Sequence, residues 1–343
     1  MSAVLLGAGA VTSIGLDAAS TAAAQRAGIA GHAAHPFMVD QAGEKMIVSR
    51  VPWGGQETDG VARMVELAEP AALQAAARVP RGRVVELLLA LPEPRPGLPE
   101  DFAEAVTARL TERLGLRVGT LKPHAAGHAA GLALMAEAAV MLARDPEALV
   151  LVGGVDTWLV PETLEWIDGL EALHSAAMPW GFCPGEAAGF CLIGSDGQAK
   201  GRLTIQGAGE ATETNRIRTE TVCTGDGLTG AWRGALERVA GTTHRVDQIW
   251  CDLNGEPYRG DEIGFSVLRT REHLADEVAI AAPADCWGDV GAATGPLLVI
   301  AAAFAAAKAY APGPLSLVSG SSMSGRRAAL LLHDRGVAAG RGQ

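Results

Sequence analysis

Lysine is nearly missing from this chain. In 343 residues it stands only at positions 45, 122, 200 and 308. Arginine carries the positive charge instead, a sign of genome composition rather than chemistry. Acidic residues outnumber basic ones, 39 to 28, for a net charge of -11. With no basic surplus to neutralise phosphates, a nucleic-acid partner is not expected. Charge of either sign is scarce at 20%, against 48% hydrophobic residues, so much of the chain must be buried. A chain of this length can build two sub-domains around a large shared core. The cysteines, at 183, 191, 223, 251 and 286, are odd in number and form no CxxC pair. That argues against a disulfide framework and against a zinc site. Cys191 and Cys251 lie in apolar runs and read as small buried hydrophobes. A reducing cytoplasm is the expected compartment. No basic segment precedes the first apolar run, so no secretory leader is expected. Residues 290–307 carry no charge, but they are rich in alanine and contain Pro296. They have a counterpart at 131–143 that holds Glu137, so a helix in a protein core is expected rather than a membrane span.

Glycine, by contrast, is abundant at 43 residues, and it marks a plan written twice. Gly7-Ala8-Gly9 closes one apolar run and Gly207-Ala208-Gly209 another. Leu87 to Ala90 leads into Glu93-Pro94, as Ile249 to Asp252 leads into Glu256-Pro257. Residues 127–131 (GHAAG) open a long apolar helix, and 291–295 (GAATG) open a second. Each helix is followed by an apolar strand, 149–154 and 315–320, and each half closes on one more, 189–193 and 328–332. At the matching helix starts one half has His128 and the other Ala292.

Hydrophobic spacing predicts strands at 3–9, 84–90, 149–155 and 246–252, with a strand-like patch at 46–48. Helices are expected at 17–28, 61–78, 102–114, 228–239 and 264–274. Residues 157–186 form a long connection with Trp158, Trp166, Trp180 and Phe182 and a short helix at 161–170. Such a loop is often functional. Residues 212–229 are polar and read as a surface loop. Alternating strands and helices imply parallel pairing and a layered α/β fold, and uniformly apolar strands imply sheets covered on both faces. The expected architecture is a five-layer α-β-α-β-α sandwich of two duplicated halves, 1–200 and 201–335, with alanine-rich helices in the middle. Residues 336–343 read as a disordered tail.

Five segments together resemble the β-ketoacyl synthase branch of the thiolase-fold condensing enzymes. They are 4–15 (VLLGAGAVTSIG), 149–156 (LVLVGGVD), 181–189 (GFCPGEAAG), 246–261 (VDQIWCDLNGEPYRGD) and 287–295 (WGDVGAATG). The resemblance spans almost the whole chain and implies the thiolase-like fold. The family's chemistry needs a cysteine at the buried helix N-terminus, where a thiolate takes the acyl chain. Two histidines then assist decarboxylation and stabilise the oxyanion. By the resemblance the nucleophile position falls on His128, the first histidine on Asn254 and the second on Gly288. The family's lysine has no counterpart between Lys200 and Lys308. The resemblance therefore implies the family fold without the family's catalysis.

His128 is expected either as a general base with Asn254 and Asp289, kept neutral by the helix terminus, or as a polar plug that bonds Asn254 in the vacated cavity. Cys183 and Cys286 are either displaced nucleophiles or incidental thiols. Trp180, Phe182, Trp287, Gly288 and Met323 are expected to line a substrate pocket. Trp158, Trp166 and Trp180 could instead anchor a dimer interface. Gly7 and Gly9 are no dinucleotide fingerprint, because Thr12 stands where the third glycine would be needed. His124 and His128 would make a metal pair only on one continuous helix, so no metal and no cofactor are expected. Two functions follow. The first is a non-condensing partner, comparable to chain-length factors, working as a homodimer or with an active ketosynthase and an acyl carrier protein. The second is an acyltransferase or decarboxylase acting on acyl thioesters.

Overall fold

The two Gly-x-Gly pairs show how each half is assembled. They lie inside strands rather than in turns. A Cβ on Gly7 would come 2.2 Å from the Ala75 carbonyl oxygen, and one on Gly9 would come 1.9 Å from that of Ala71. In the second half Gly207 and Gly209 stand 2.1 Å by the same measure from the carbonyls of Ala235 and Ala231. A helix backbone thus rests directly on a strand backbone, twice, in the same way.

The computed structural model describes residues 2–53, 59–197 and 202–336. The first half contains β1 (Ala3–Val11), α1 (Ala18–Arg26), β2 (His32–Val39), β3 (Lys45–Ser49), α2 (Gly60–Ala75), β4 (Val84–Leu91) and α3 (Phe102–Leu114). It continues with β5 (Arg117–Ala125), α4 (Ala130–Arg144), β6 (Val150–Thr157), α5 (Pro161–Gly169) and β7 (Glu186–Ser195). The second half contains β8 (Leu203–Thr212), α6 (Asp226–Leu236), β9 (Val246–Trp250), α7 (Pro257–Arg269) and β10 (Leu274–Ala281). It ends with α8 (Ala284–Trp287), α9 (Thr294–Ala307), β11 (Leu315–Ser321) and β12 (Arg326–Asp334).

The large sheet runs β5-β4-β6-β7-β1-β8-β12-β11-β9-β10. Read outward from the centre, the order is the same in both halves. The central β1 and β8 pair antiparallel, Ala3 with Ile205 and Val4 with Thr204, as equivalent strands about a local twofold must. Three large apolar cores and a small satellite follow. One lies under α2 and α3, one under α6 and α7, and the largest surrounds α4 and α9. Helix α4 touches β4 and β6 of its own half and β8 and β12 of the other, which makes the middle layer of the five.

Several expectations need correction. The sheet is mixed rather than parallel. β4 runs parallel to β5 and β6, and β9 runs parallel to β10 and β11, but the last strand of each half is antiparallel to its neighbours. The β11–β12 link is a short hairpin with no room for a crossover helix. Strands β2, β5 and β10 were not expected, because largely exposed strands show no apolar run. Helix α7 starts at Pro257, earlier than position 264, with proline in the first turn where its missing N–H costs nothing. Residues 337–343 of the expected tail, and the 200/201 boundary between halves, lie outside the described residues. Among the described residues no helix is long and apolar enough to cross a membrane.

Candidate functional site

Helices α4 and α9 begin side by side at the centre of the molecule. A single 3-10 turn leads into each, Gly127–Ala129 and Gly291–Ala293. Both turns open on a glycine at positive φ, 65° and 50°. His128 sits in the first turn, only 2% exposed. Its Nε2 lies 2.8 Å from Asp289 Oδ1. Asp289 collects further donors: Asn254 Nδ2 at 2.8 Å to Oδ2, Trp158 Nε1 at 3.2 Å and the Gly291 backbone N–H at 2.9 Å. The three residues expected to form a polar centre are therefore together, with Asp289 as the hub. His128 bonds Asp289 and not Asn254, which corrects the expected plug geometry. Asn254 also donates to Glu256 Oε2 at 3.0 Å. Behind them Arg259 donates to Asp252 Oδ2 at 2.5 Å and to the Ser321 carbonyl at 2.9 Å.

Burial alone would push the Asp289 carboxyl up, but the His128 charge and hydrogen bond, with Arg259 behind, hold it well below the usual carboxylate range. Burial likewise pulls His128 down. The Asp289 charge and its hydrogen bond outweigh that and hold the imidazole above its ordinary 6.5, against Arg259. The expected neutral, lowered histidine is thus reversed. A full charge in contact outweighs the partial charge of a helix end. His128 Nδ1 is buried and has no hydrogen-bond partner.

Space is divided unequally around this centre. Between His128, Asn254, Trp287, Gly288 and Asp289 the gap measures about 10 Å³, at the limit for one water. On the other side of His128 lies a cavity of about 510 Å³, walled by Glu93, Arg95, Asp156, Trp158, Trp166 and Met323. Of the expected pocket residues, only Met323 lines this larger cavity. Trp180 is 60% exposed and stands apart from it. Phe182 is buried in a small satellite core, edge-on to Trp158 at 5.5 Å. Trp287 and Gly288 border the small gap and do not line the larger cavity. Trp158, which is buried, and Trp166, which is half-buried, are walls of the larger cavity.

Glu93, Arg95 and Asp156 were not singled out in the sequence. Glu93 accepts the backbone N–H groups of Met323 at 3.0 Å and Ser324 at 2.8 Å, tying the β11–β12 hairpin to the first half. Arg95 pairs with Asp156, and its guanidinium lies 3.9 Å over the Trp158 ring. Asp156 also accepts the Ala292 N–H at 2.9 Å, so it ties β6 to the start of α9. Their signal was faint: Glu93 follows the apolar β4 run, and Asp156 ends the glycine-rich β6 segment.

All five cysteines are free thiols. Burial pushes Cys183 up to about 12 and also raises Cys286, so neither rests as a thiolate. His124 lies in β5 and His128 in the following turn, so they share no helix. Among the described residues no group of three or more His, Cys, Asp or Glu side chains could hold a metal ion.

No family model matches this chain, and no curated protein matches it. Solved structures do. The ishigamide ketosynthase/chain length factor superimposes with a TM-score of 0.75 at 18% identity, over 97% of this chain and 99% of that one. A ketosynthase (ApeO) in complex with its chain length factor (ApeC) from Xenorhabdus doucetiae gives 0.77 at 14%, over 97% and 98%. A type II polyketide synthase acyl-carrier protein in complex with its ketosynthase bound to the hexaketide (AntDE:AntF) gives 0.80 at 14%, over 97% and 99%. At such identities the likeness speaks for architecture: this chain is built on the ketosynthase fold, a thiolase-type sandwich of two equivalent halves.

Proposed function

We propose that this protein is a non-condensing, ketosynthase-like partner subunit, comparable to a chain length factor, that works in the cytoplasm on fatty-acid or polyketide-type chains. One observation carries the reading. The buried start of α4, where condensation needs a thiol, holds an imidazole locked to Asp289, with no usable space on the Asn254 side. His128, Asn254 and Asp289 serve here as a vestigial centre that keeps the junction of the halves filled. The cavity beyond His128 receives the acyl chain. Ketosynthase/chain length factor pairs and a ketosynthase–carrier complex share the fold, which supports a heterodimer and a carrier protein as partners.

The surface supports the same reading. Among the described residues β5 pairs with β4 alone and leaves its outer edge open. Beside it α4, a middle-layer helix, leaves Val140 51% exposed, and Leu121 of β5 is 39% exposed. Helix α1 packs against α9, with Arg26 4.1 Å over the Tyr310 ring. An open sheet edge beside an apolar face is a place for a second subunit.

The test is reconstitution with an active ketosynthase and its carrier protein. The partner reading expects co-elution, chain formation only with both proteins, and full output from His128→Ala. Loss of turnover by a folded His128→Ala protein would favour the altered-enzyme reading instead, which the unpartnered His128 Nδ1 beside a cavity keeps specific.

A further inference from the structure

A second cluster of reactive groups lies beside the vacated site. His32 opens β2 and Ser49 closes β3, and the two are register partners across the hairpin. Cys183 stands just before β7, and Asp285 lies in α8. His32 Nε2 is 3.1 Å from the Asp285 carbonyl oxygen. A carbonyl can only accept, so Nε2 carries the proton and Nδ1 keeps its lone pair. That lone pair faces two protic groups, Ser49 Oγ at 2.6 Å and Cys183 Sγ at 3.2 Å, which are 3.7 Å from each other. A nucleophile touching a base, with the base oriented by a third group, is the arrangement that covalent catalysis requires. Of the five cysteines, Cys183 alone is not buried.

We propose that Cys183 and His32 form a nucleophilic pair that accepts an acyl group from a carrier thioester. The cluster adjoins the junction of the halves, since the Asp289 N–H donates to the Cys183 carbonyl at 2.8 Å. A Cβ at Gly288 would sit 2.8 Å from Ser49 Oγ and 2.9 Å from the Cys183 carbonyl oxygen. The side chain missing at Gly288, where the resemblance puts a family histidine, leaves the room that these groups occupy. Imidazole and thiol are thus supplied from other elements than those of the family's site.

The thiol is protonated at rest, with burial pushing it up to about 12, so attack requires a base in contact. Burial lowers His32 below 6.5, which leaves it a free base at neutral pH. As sulfur attacks the thioester carbonyl carbon, the S–H proton passes to His32 Nδ1. The donor's C–S bond then breaks, and its departing thiolate takes the proton from the imidazolium. The acyl group remains on Cys183 as a thioester, with no change of oxidation state. This inference goes beyond the partner role and needs no second subunit.

The test uses the isolated full chain and hexanoyl-N-acetylcysteamine, read by intact mass and peptide mapping. A single hexanoyl adduct is expected on Cys183. It should be absent in Cys183→Ser, unchanged in Cys286→Ser and about a hundredfold slower in His32→Gln. The wild-type rate against pH gives a second readout that does not depend on how a variant folds. The groups facing His32 are Ser49, Cys183, Asp285 and His174. Base assistance by His32 expects a rate that levels off near neutral pH. A rate that climbs tenfold per pH unit up to pH ~9 would mean free thiolate chemistry and would overturn the pair. So would the lack of any adduct, an adduct on another cysteine, or a folded His32→Gln protein labelled at the wild-type rate. None of these outcomes bears on co-elution with a ketosynthase, so the two readings fail separately.

Discussion

An imidazole can replace a thiol at a buried helix start only if its charge and its nitrogens are provided for. His128 meets half of that demand through Asp289. The pair has a definite pH signature. His128 is held above 6.5 in the fold, so its stabilisation is full below the unfolded value and is lost as pH rises through the raised one. Asp289 is held below 3.8, so its contribution is full above that value and is lost as pH falls through the depressed one. The pair therefore stabilises most between about pH 4 and about 6.5, and less as pH climbs through the raised His128 value. His128→Gln should cost about 3 kcal/mol, the low end for breaking a buried pair, because Asn254, Trp158 and Gly291 still hold the carboxylate. The gap in thermal midpoint between wild type and variant should be widest near pH ~5.5 and narrow as pH rises through the raised His128 value. A gap that does not change with pH would mean that His128 is neutral in the fold. The resemblance brought His128, Asn254 and Asp289 together as a group, because it puts the family's site positions at or beside each of them. It could not show that Asp289 is the hub or that Trp158 reaches it, since those contacts join segments more than a hundred residues apart.

Single glycines decide how the elements stack. Gly9 in β1 admits the Ala71 carbonyl of α2, and Gly209 in β8 admits the Ala231 carbonyl of α6. A methyl group at either point must push a helix backbone away from a strand backbone, and neither can yield cheaply. Gly9→Ala and Gly209→Ala should each cost about 1–3 kcal/mol or more by overpacking. Gly260 in α7 is the control, because a Cβ there meets nothing within 4 Å. Gly260→Ala should raise stability by up to about 1 kcal/mol through helix propensity alone. Urea melts of the three variants check the contrast. Similar losses at all three sites would mean that the Gly-x-Gly pairs have no packing role. Elements with a buried apolar face were legible from spacing, as α2, α3, β4 and β6 show. The edge strands β5 and β10 were not, because a strand exposed on both faces has no alternation to read.

For the whole molecule, the twofold plan is what the repeat announced, and it is complete within one chain except at its rim. Among the described residues the sheet ends on two free edges, and of these β5 is the one beside an under-covered middle-layer helix, α4. Within the chain Lys122 of β5 and Glu137 of α4 already pair at 2.6 Å, so these two charges are matched internally. What remains to bind is apolar area and open backbone, which suits strand addition by a partner of the same fold. Leu121→Glu and Val140→Glu place unpaired charge on that face at exposed positions, where the folded chain tolerates it within about 0.5 kcal/mol. The doubly substituted chain should keep its thermal midpoint and lose its partner, eluting as a monomer where the wild type elutes as a dimer or a complex with a ketosynthase. Light scattering on both, alone and with the ketosynthase present, separates the outcomes. A wild-type chain that stays monomeric in both settings, or a double variant that still assembles, would put the partner surface elsewhere on the molecule.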